Sequence, residues 1–159
     1  MAEENIFFLP VKDFCRRDVV TCSPDDTVIG AAALMREKNI SSLVVCSAGE
    51  PIGIITDRDL RNKVVAGGLD PGGLAVRSIM NAPLITLTEE DFLFEALYRM
   101  SRNRIHRVGV VDSAGRLTGI ITDSDILRLQ TRSPQGMLRE IEEAPTVADC
   151  RLCTAGCRL

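Results

Sequence analysis

The sequence has few aromatic residues and lacks several features that would assign a function directly. Its 159 residues include no tryptophan and one tyrosine, so the aromatic platforms on which single-stranded nucleic acids stack are not expected. No apolar run approaches the roughly 20 residues of a membrane-spanning helix. No Gly-x-Gly-x-x-Gly or Walker-type sequence is present, which argues against the common phosphate-binding loops.

The charge distribution also argues against nucleic acid as a partner. The net charge is −3, and no block of basic residues stands out. The first residues lack the positively charged segment and the apolar core of a signal peptide. We therefore expect a soluble, cytoplasmic protein.

One seven-residue stretch occurs twice. Residues 53–59 read Gly-Ile-Ile-Thr-Asp-Arg-Asp, and residues 119–125 differ only in Ser124, which replaces Arg58. An apolar pair followed by Thr and Asp predicts a buried strand that runs into a capped helix, because these side chains accept hydrogen bonds from free helix N–H groups. Capping alone does not require so close a match in two places, so the match indicates an internal repeat.

The spacing of other residues supports a duplication. Ile40 and Ile105 lie 65 residues apart, whereas the two motifs lie 66 apart. One residue is therefore inserted between Ile105 and Ser113, near a predicted turn. We infer a leader at 1–10, a first repeat at 11–68, a linker at 69–75, a second repeat at 76–130 and a helical or partly disordered tail at 131–159.

Each repeat is predicted to run strand, helix, strand, strand, helix. The strands are expected at 19–22, 43–46, 52–55, 84–87, 108–111 and 117–121. The first helices are expected to begin at caps formed by Ser23-Pro24 and by Thr88, and the second helices span 57–66 and 123–129. Spacing of i, i+3, i+4, i+7 predicts these core positions: Val28, Ala31, Ala32, Met35, Leu93, Ala96, Leu97 and Met100.

The full pattern resembles the CBS domain, and the two copies together resemble a CBS pair, or Bateman module. The resemblance covers residues 11–130 and includes Ile-Ser-Ser-Leu-Val-Val from residue 40 and Ile-His-Arg-Val-Gly-Val-Val from residue 105. It implies an α/β (α+β) fold of two β-α-β-β-α repeats packed about a pseudo-twofold axis, with two clefts. It also implies a non-enzymatic regulatory role.

The resemblance further implies a ligand that contains adenosine, such as AMP, ADP, ATP or S-adenosylmethionine, and no required cofactor. Carried over to this sequence, Thr56 with Asp59 and Thr122 with Asp125 would hold the ribose and the phosphate edge. A carboxylate can accept from both ribose hydroxyls. Mg²⁺ could accompany the phosphates. The remaining candidates flank the base and phosphate: Ile40, Ser41, Ser42, Arg58, Ile105, His106, Arg107, Thr21 and Thr86.

The two repeats differ at these positions. The second offers His106, Arg107 and nearby Arg104, which suit phosphate. The first offers Ser41 and Ser42 instead, with the cationic Arg58 inside its motif. The sequence does not decide which cleft a ligand would prefer. By the same resemblance, the module would form a homodimer through its helices.

The tail carries a second, shorter resemblance. Residues 133–147 resemble the junction after CBS pairs in bacterial signal-transduction proteins that also carry a nucleotidyltransferase-like domain. Such a domain, or another effector, is a candidate partner.

Six cysteines leave one further alternative open. Cys15, Cys22 and Cys46 lie in apolar or strand contexts and are expected to be buried. Cys150, Cys153 and Cys157 form a terminal cluster that could bind a metal, although a fourth ligand is missing nearby. Three hypotheses thus stand: an adenosyl-ligand sensor, a dimerisation module with empty clefts, and a metalloprotein that uses the terminal cysteines.

Overall fold

Both halves of the chain fold into the predicted order of elements. The computed structural model describes residues 6–130. The first half contains β1 (Thr21–Cys22), α1 (Val28–Lys38), β2 (Ser42–Ser47), β3 (Glu50–Thr56) and α2 (Asp57–Asp59), which continues as a π-helical segment (Leu60–Val65). The second contains β4 (Thr86–Thr88), α3 (Leu93–Asn103), β5 (Arg107–Val111), β6 (Leu117–Thr122) and α4 (Asp123–Gln130). The predicted tail helix and the terminal cysteine cluster lie outside the described residues.

Each half forms a three-stranded mixed sheet. The first strand pairs in parallel with the second, and the second pairs antiparallel with the third, in the orders β1-β2-β3 and β4-β5-β6. In each half, α1 or α3 connects the two parallel strands, because a parallel pair needs a crossover. The mixed α/β fold class is therefore confirmed.

The predicted helical faces supply much of the core. On α1 and α3, three of the four predicted residues are buried in each helix, and only Ala32 and Leu97 are half-buried. They pack beneath inward-facing strand residues such as Leu43 and Val108, both 0% exposed. Burial of such apolar surface is the main favourable term in folding.

The segment at the start of each repeat packs against the opposite repeat. Val11 N donates to Asp91 O at 2.8 Å, and Val76 N donates to Asp26 O at 2.9 Å. Val76 is fully buried in the core of the first repeat. These two lead-in segments, residues 10–16 and 75–81, therefore tie the repeats into one unit.

The packing of each lead-in against the opposite repeat also explains the repeated glycines, Gly53 and Gly119. Lead-in residues Arg16 and Asn81 form bridges to Ile120 and Ile54, next to the two glycines. A Cβ atom at Gly53 would lie 2.8 Å from Asn81 O, and one at Gly119 would lie 2.6 Å from the Sγ of a lead-in cysteine. A side chain at either position would collide with the lead-in.

The predicted starts of α1 and α3 were wrong. Helix α1 begins at Val28 after Thr27, whose Oγ1 accepts from Gly30 N at 3.2 Å. Residues 23–26 and 88–91 instead form turns, in which Asp26 and Asp91 carboxylates accept from the backbone N–H groups of residues 23 and 88. The carbonyls of these turns bond to the lead-in segments, as when Arg77 N donates to residue 24 at 2.9 Å, so they do not start a helix.

Two other elements differ from expectation. Strands β1 and β4 are shorter than predicted, because only two and three of their residues pair with the neighbouring strand. The second helix of the first repeat is α-helical for one turn only and then widens into the π-helical segment, where Ala66 N donates to Arg61 O. Among residues 6–130, no helix is both long enough and apolar enough to cross a membrane.

Candidate functional site

Both copies of the repeated motif form the same hydrogen-bonded cap. Thr56 Oγ1 donates to Asp59 Oδ2 at 2.6 Å, and Asp59 N donates back to Thr56 Oγ1 at 3.3 Å. In the second copy, the corresponding Thr122 and Asp125 distances are 2.7 and 3.1 Å. The threonine N–H groups also donate to Oδ2 of these aspartates. In both copies, therefore, the motif threonine occupies Oδ2 and leaves Oδ1 to other partners.

Two side chains occupy Oδ1 of Asp59. Asn81 Nδ2 donates to both carboxylate oxygens at 2.9 Å, and Lys63 Nζ lies 2.9 Å from Oδ1. The Lys63 ammonium also donates to Ile79 O at 2.7 Å and to Asn81 Oδ1 at 3.0 Å. Asp59 is only 6% exposed. Burial alone would raise the pKa of Asp59, but hydrogen bonds from Thr56, Lys63 and Asn81 lower it below its ordinary value.

Among the residues that the structure describes, one side chain, that of Arg16, occupies Oδ1 of Asp125. The Arg16 guanidinium donates through Nε at 3.2 Å and through Nη2 at 2.7 Å. The Arg16 side chain is 57% exposed and that of Asp125 is 13% exposed. Burial would raise the pKa of Asp125, while Thr122 and Arg16 lower it. Arg16 and Asn81 lie 65 residues apart and therefore occupy matching positions in the two lead-ins.

Arg107 connects the two repeats. Its Nη1 donates to Ser41 Oγ at 3.1 Å. Burial lowers the pKa of this guanidinium, and the nearby carboxylates of Asp57, Asp123 and Asp125 oppose that effect. No ion pair of Arg107 is formed within the described part of the chain, so this half-buried cation retains unused donors.

An open cavity of about 460 Å³ lies beside these residues and is lined by both repeats. Its walls are Arg58, Leu97, Met100, Ser101, Arg104, Ile105, His106 and Asp123. His106 Nδ1 lies 2.7 Å from Asp123 Oδ2. Between residues 6 and 130, the Arg58 and Arg104 side chains form no hydrogen bond or ion pair, so the cavity combines apolar walls with two available cations.

The strand-start residues predicted from sequence lie beside the motifs. Ser42 is paired with Thr56, and Arg107 is paired with Thr122. Asp57 N donates to Ser41 O at 3.0 Å, and the equivalent donation from the second motif reaches the carbonyl of residue 106 at 3.1 Å. The predicted neighbourhood of motif and strand start is therefore present in both repeats.

Other predicted residues lie farther along the sheets or in the core. Thr21 lies in β1 and pairs with Val44 of β2. Thr86 lies in β4 and pairs with Gly109 of β5. Ile40 is half-buried and packs against the first core. The sequence did not identify a further set of residues as part of the site: Arg16, Lys63, Asn81, Leu97, Met100, Ser101 and Asp123. The offset of 65 between the repeats was a signal for two of them, because it aligns Arg16 with Asn81.

Three of the six cysteines lie within the described residues. Cys15, Cys22 and Cys46 are half-buried rather than fully buried, and burial raises the pKa of Cys22 to about 11. Such a thiol is a poor nucleophile at neutral pH. Within residues 6–130, no three His, Cys, Asp or Glu side chains are grouped so that they could hold a metal ion.

Comparison with known proteins decides the family. The model of the CBS domain matches residues 11–66 and 76–132. The chain belongs to the CBS-domain family. It contains a CBS pair, which is a regulatory module rather than a catalytic domain. In this chain, the pair consists of the two mixed sheets, their helices and the lead-in segments that pack against the opposite repeat.

Three relatives indicate how far the likeness extends. An uncharacterized protein of Methanopyrus kandleri is 44% identical over 121 residues, which are 76% of this chain and 62% of that protein. Inosine-5'-monophosphate dehydrogenase of Korarchaeum cryptofilum is 35% identical over 150 residues, 86% of this chain but 30% of the enzyme. The chain thus spans less than two thirds of either protein. A solved CBS domain pair in complex with 5'-methylthioadenosine and S-adenosyl-L-methionine is 30% identical, with a TM-score of 0.70 and coverage of 78% of this chain and 97% of that one.

Proposed function

We propose that this CBS pair binds an adenosine-containing ligand between its repeats and regulates a partner or an adjacent domain. The observation that carries the proposal is the pair of buried or nearly buried carboxylates, Asp59 and Asp125, each held at a helix start beside the first residues of a strand. The relative that holds 5'-methylthioadenosine and S-adenosyl-L-methionine supports adenosine as the common part of the ligand.

The roles follow from the chemistry of the side chains. A motif carboxylate accepts hydrogen bonds from the ribose hydroxyls, and the neighbouring Thr56 or Thr122 orients that carboxylate. Phosphate groups would bind the available cations, which lie near the second motif and in the adjoining cavity. Mg²⁺ could accompany a polyphosphate. Thr21 and Thr86 remain candidates for contact with the adenine edge.

The regulatory step requires differential binding. A ligand held by both repeats favours the arrangement in which the two halves of its site are correctly spaced, and it can shift that equilibrium only by its difference in affinity for the two arrangements. The contact from Arg107 to Ser41 joins the repeats at this place. The recipient of the signal would be a nucleotidyltransferase-like or other effector domain, in the cytoplasm, as the tail resemblance suggests.

A thermal-shift series tests the proposal. Adenosine, AMP, ADP, ATP, S-adenosylmethionine and cyclic AMP would be added to the full chain at millimolar concentration. A ligand at about 100 times its Kd stabilises by about 2.7 kcal/mol, which is about 5–10 °C in melting temperature for a domain of this size. The double variant D59A/D125A should lose the shift. The absence of a shift with every compound would refute adenosyl-ligand binding.

A second function is supported by one surface observation. Phe94 and Tyr98 on α3 are 58% and 52% exposed and stack with ring centroids 6.4 Å apart, and Ile29 on α1 is 54% exposed. Exposed apolar side chains on helices suit a homodimer formed by a second copy of the chain. Sedimentation should then give a dimer that F94S/Y98S converts to a monomer. A module that only dimerises would keep its dimer and show no thermal shift with the adenosyl compounds.

A further inference from the structure

The two motif carboxylates differ in how many side chains must leave before a ligand can bind. Asp59 receives five hydrogen bonds or ion contacts from Thr56, Asn81 and Lys63. Freeing its Oδ1 would displace both Asn81 and Lys63. Within the described part of the chain, freeing Oδ1 of Asp125 would displace Arg16 alone, and the two acceptor positions then released match the two hydroxyls of a ribose.

The partners also differ in how firmly they are held. The Lys63 ammonium has three acceptors, namely Asp59 Oδ1, Ile79 O and Asn81 Oδ1, so all three of its hydrogens are used. Displacing Lys63 would break all three of these contacts, and displacing Asn81 would break two more. Displacing Arg16 would break only its two hydrogen bonds to Asp125 Oδ1, and ribose hydroxyls would replace them as donors to that carboxylate. Arg16 can therefore be displaced at a lower cost.

Two guanidinium groups near Asp125 can bind a negatively charged ligand. Arg107 lies within electrostatic range of Arg16 and of the carboxylates of Asp57, Asp123 and Asp125, and among residues 6–130 its side chain donates only to the neutral Ser41 hydroxyl. A displaced Arg16 would be a second cation at the same place. A phosphate dianion accepts bidentate hydrogen bonds from guanidinium groups and carries more charge than the carboxylate that Arg16 would leave.

We propose that the two clefts are not equivalent, and that Asp125 accepts the ribose of an anionic adenine nucleotide while Arg16 moves from Asp125 to its phosphate. Asp59 stays closed by Lys63 and Asn81. This inference rests on the proposed function and narrows it to one cleft and to nucleotides rather than uncharged nucleosides. Arg16 is then both a competitor for the ribose site and the residue that selects for phosphate.

Isothermal titration of the full chain with AMP and with adenosine tests this assignment. The wild-type chain should bind about one AMP and should prefer AMP to adenosine by about tenfold or more. Arg16→Ala should strengthen adenosine binding, because the competitor for Asp125 is lost. It should weaken AMP binding, because the contact with the phosphate is lost. The preference for AMP over adenosine should therefore fall by about tenfold. Arg17→Ala is the matched control, since Arg17 is similarly exposed and ion-paired with Glu89; its preference should stay within about twofold of wild type.

The variants of the two carboxylates decide which cleft is used. Asp125→Asn should lower AMP affinity by about tenfold or more. Binding that survives in Asp125→Asn and is lost in Asp59→Asn would overturn the assignment, as would an unchanged nucleotide preference in Arg16→Ala. Either result would leave the proposed function standing, because an adenosyl ligand still binds. Wild-type protein that binds neither AMP nor any compound of the thermal-shift series would refute both.

Discussion

Replacing Gly53 by alanine should destabilise the protein strongly, although the change adds only one methyl group. The new Cβ would lie 2.8 Å from the backbone oxygen of Asn81 and 3.2 Å from Met80 Sδ. The backbone at Asn81 is held by two hydrogen bonds with Ile54, at 2.8 and 2.9 Å, and its side chain is held by Asp59. The lead-in cannot move away without weakening these contacts.

The expected magnitude follows from two terms. Overpacking of this kind costs about 1–3 kcal/mol, and weakening a hydrogen bond to a buried charged acceptor costs about 1.5–3 kcal/mol. Because the chain can relax partly at either contact, we expect a loss of about 3 kcal/mol, or a fall in melting temperature of about 6–12 °C.

Urea denaturation followed by circular dichroism would measure this loss. Gly73→Ala is a suitable control, because the added Cβ would meet only Asp70 Oδ2 at 3.5 Å, an ordinary contact. The control should stay within about 0.5 kcal/mol of wild type. A Gly53→Ala protein as stable as the control would refute the close-packed lead-in as the reason for this glycine.

Three further changes test single features. Lys63→Met should destabilise by about 1–3 kcal/mol in urea denaturation, because Asp59 loses its cationic partner; wild-type stability would contradict the buried network. Arg104 has a positive φ of 54°, so Arg104→Gly should raise stability by up to about 1 kcal/mol and weaken binding of anions; a loss of stability would contradict this. The pKa of Asp59 and Asp125 is lowered in the folded state. Their stabilisation is therefore complete above the ordinary aspartate pKa and is lost as the pH falls through the lower folded-state values, so D59N should flatten the acid limb of the stability–pH curve; an unchanged limb would contradict the assignment.

The elements of the fold could largely be predicted because local signals agree with one another. The strand cores at 43–46 and 108–111 and the buried faces of α1 and α3 all lie where the sequence indicates. The starts of α1 and α3 could not be read correctly, because Ser23 and Thr88 are good caps locally. Their backbone is instead occupied by a lead-in segment from the other repeat, which no local pattern reveals.

At the candidate site, too, local sequence patterns do not reveal contacts made by residues distant in the chain. The repeated motif and the residues beside it, such as Ser41 and Arg107, could be identified from the duplication. The sequence pointed to Arg58 against Ser124, and to Ser41-Ser42 against His106-Arg107, as the differences between the clefts. The structure adds a further difference, because the side chains that complete each motif aspartate come from outside that motif.

This further difference arises from two substitutions between the copies. The lead-in residue that contacts the motif aspartate is Asn81 for Asp59 but Arg16 for Asp125, and the helix residue four positions after Asp59 is lysine, whereas leucine follows Asp125 at the same spacing. A neutral amide with a lysine makes a closed, charge-balanced network. Arg16, whose side chain is 57% exposed, makes an ion pair with Asp125 that a stronger anion can break. Duplication thus gives both repeats the same backbone arrangement around the motif aspartate. A change at each of two positions is enough to make Asp59 structural and to let a ligand replace the partner of Asp125.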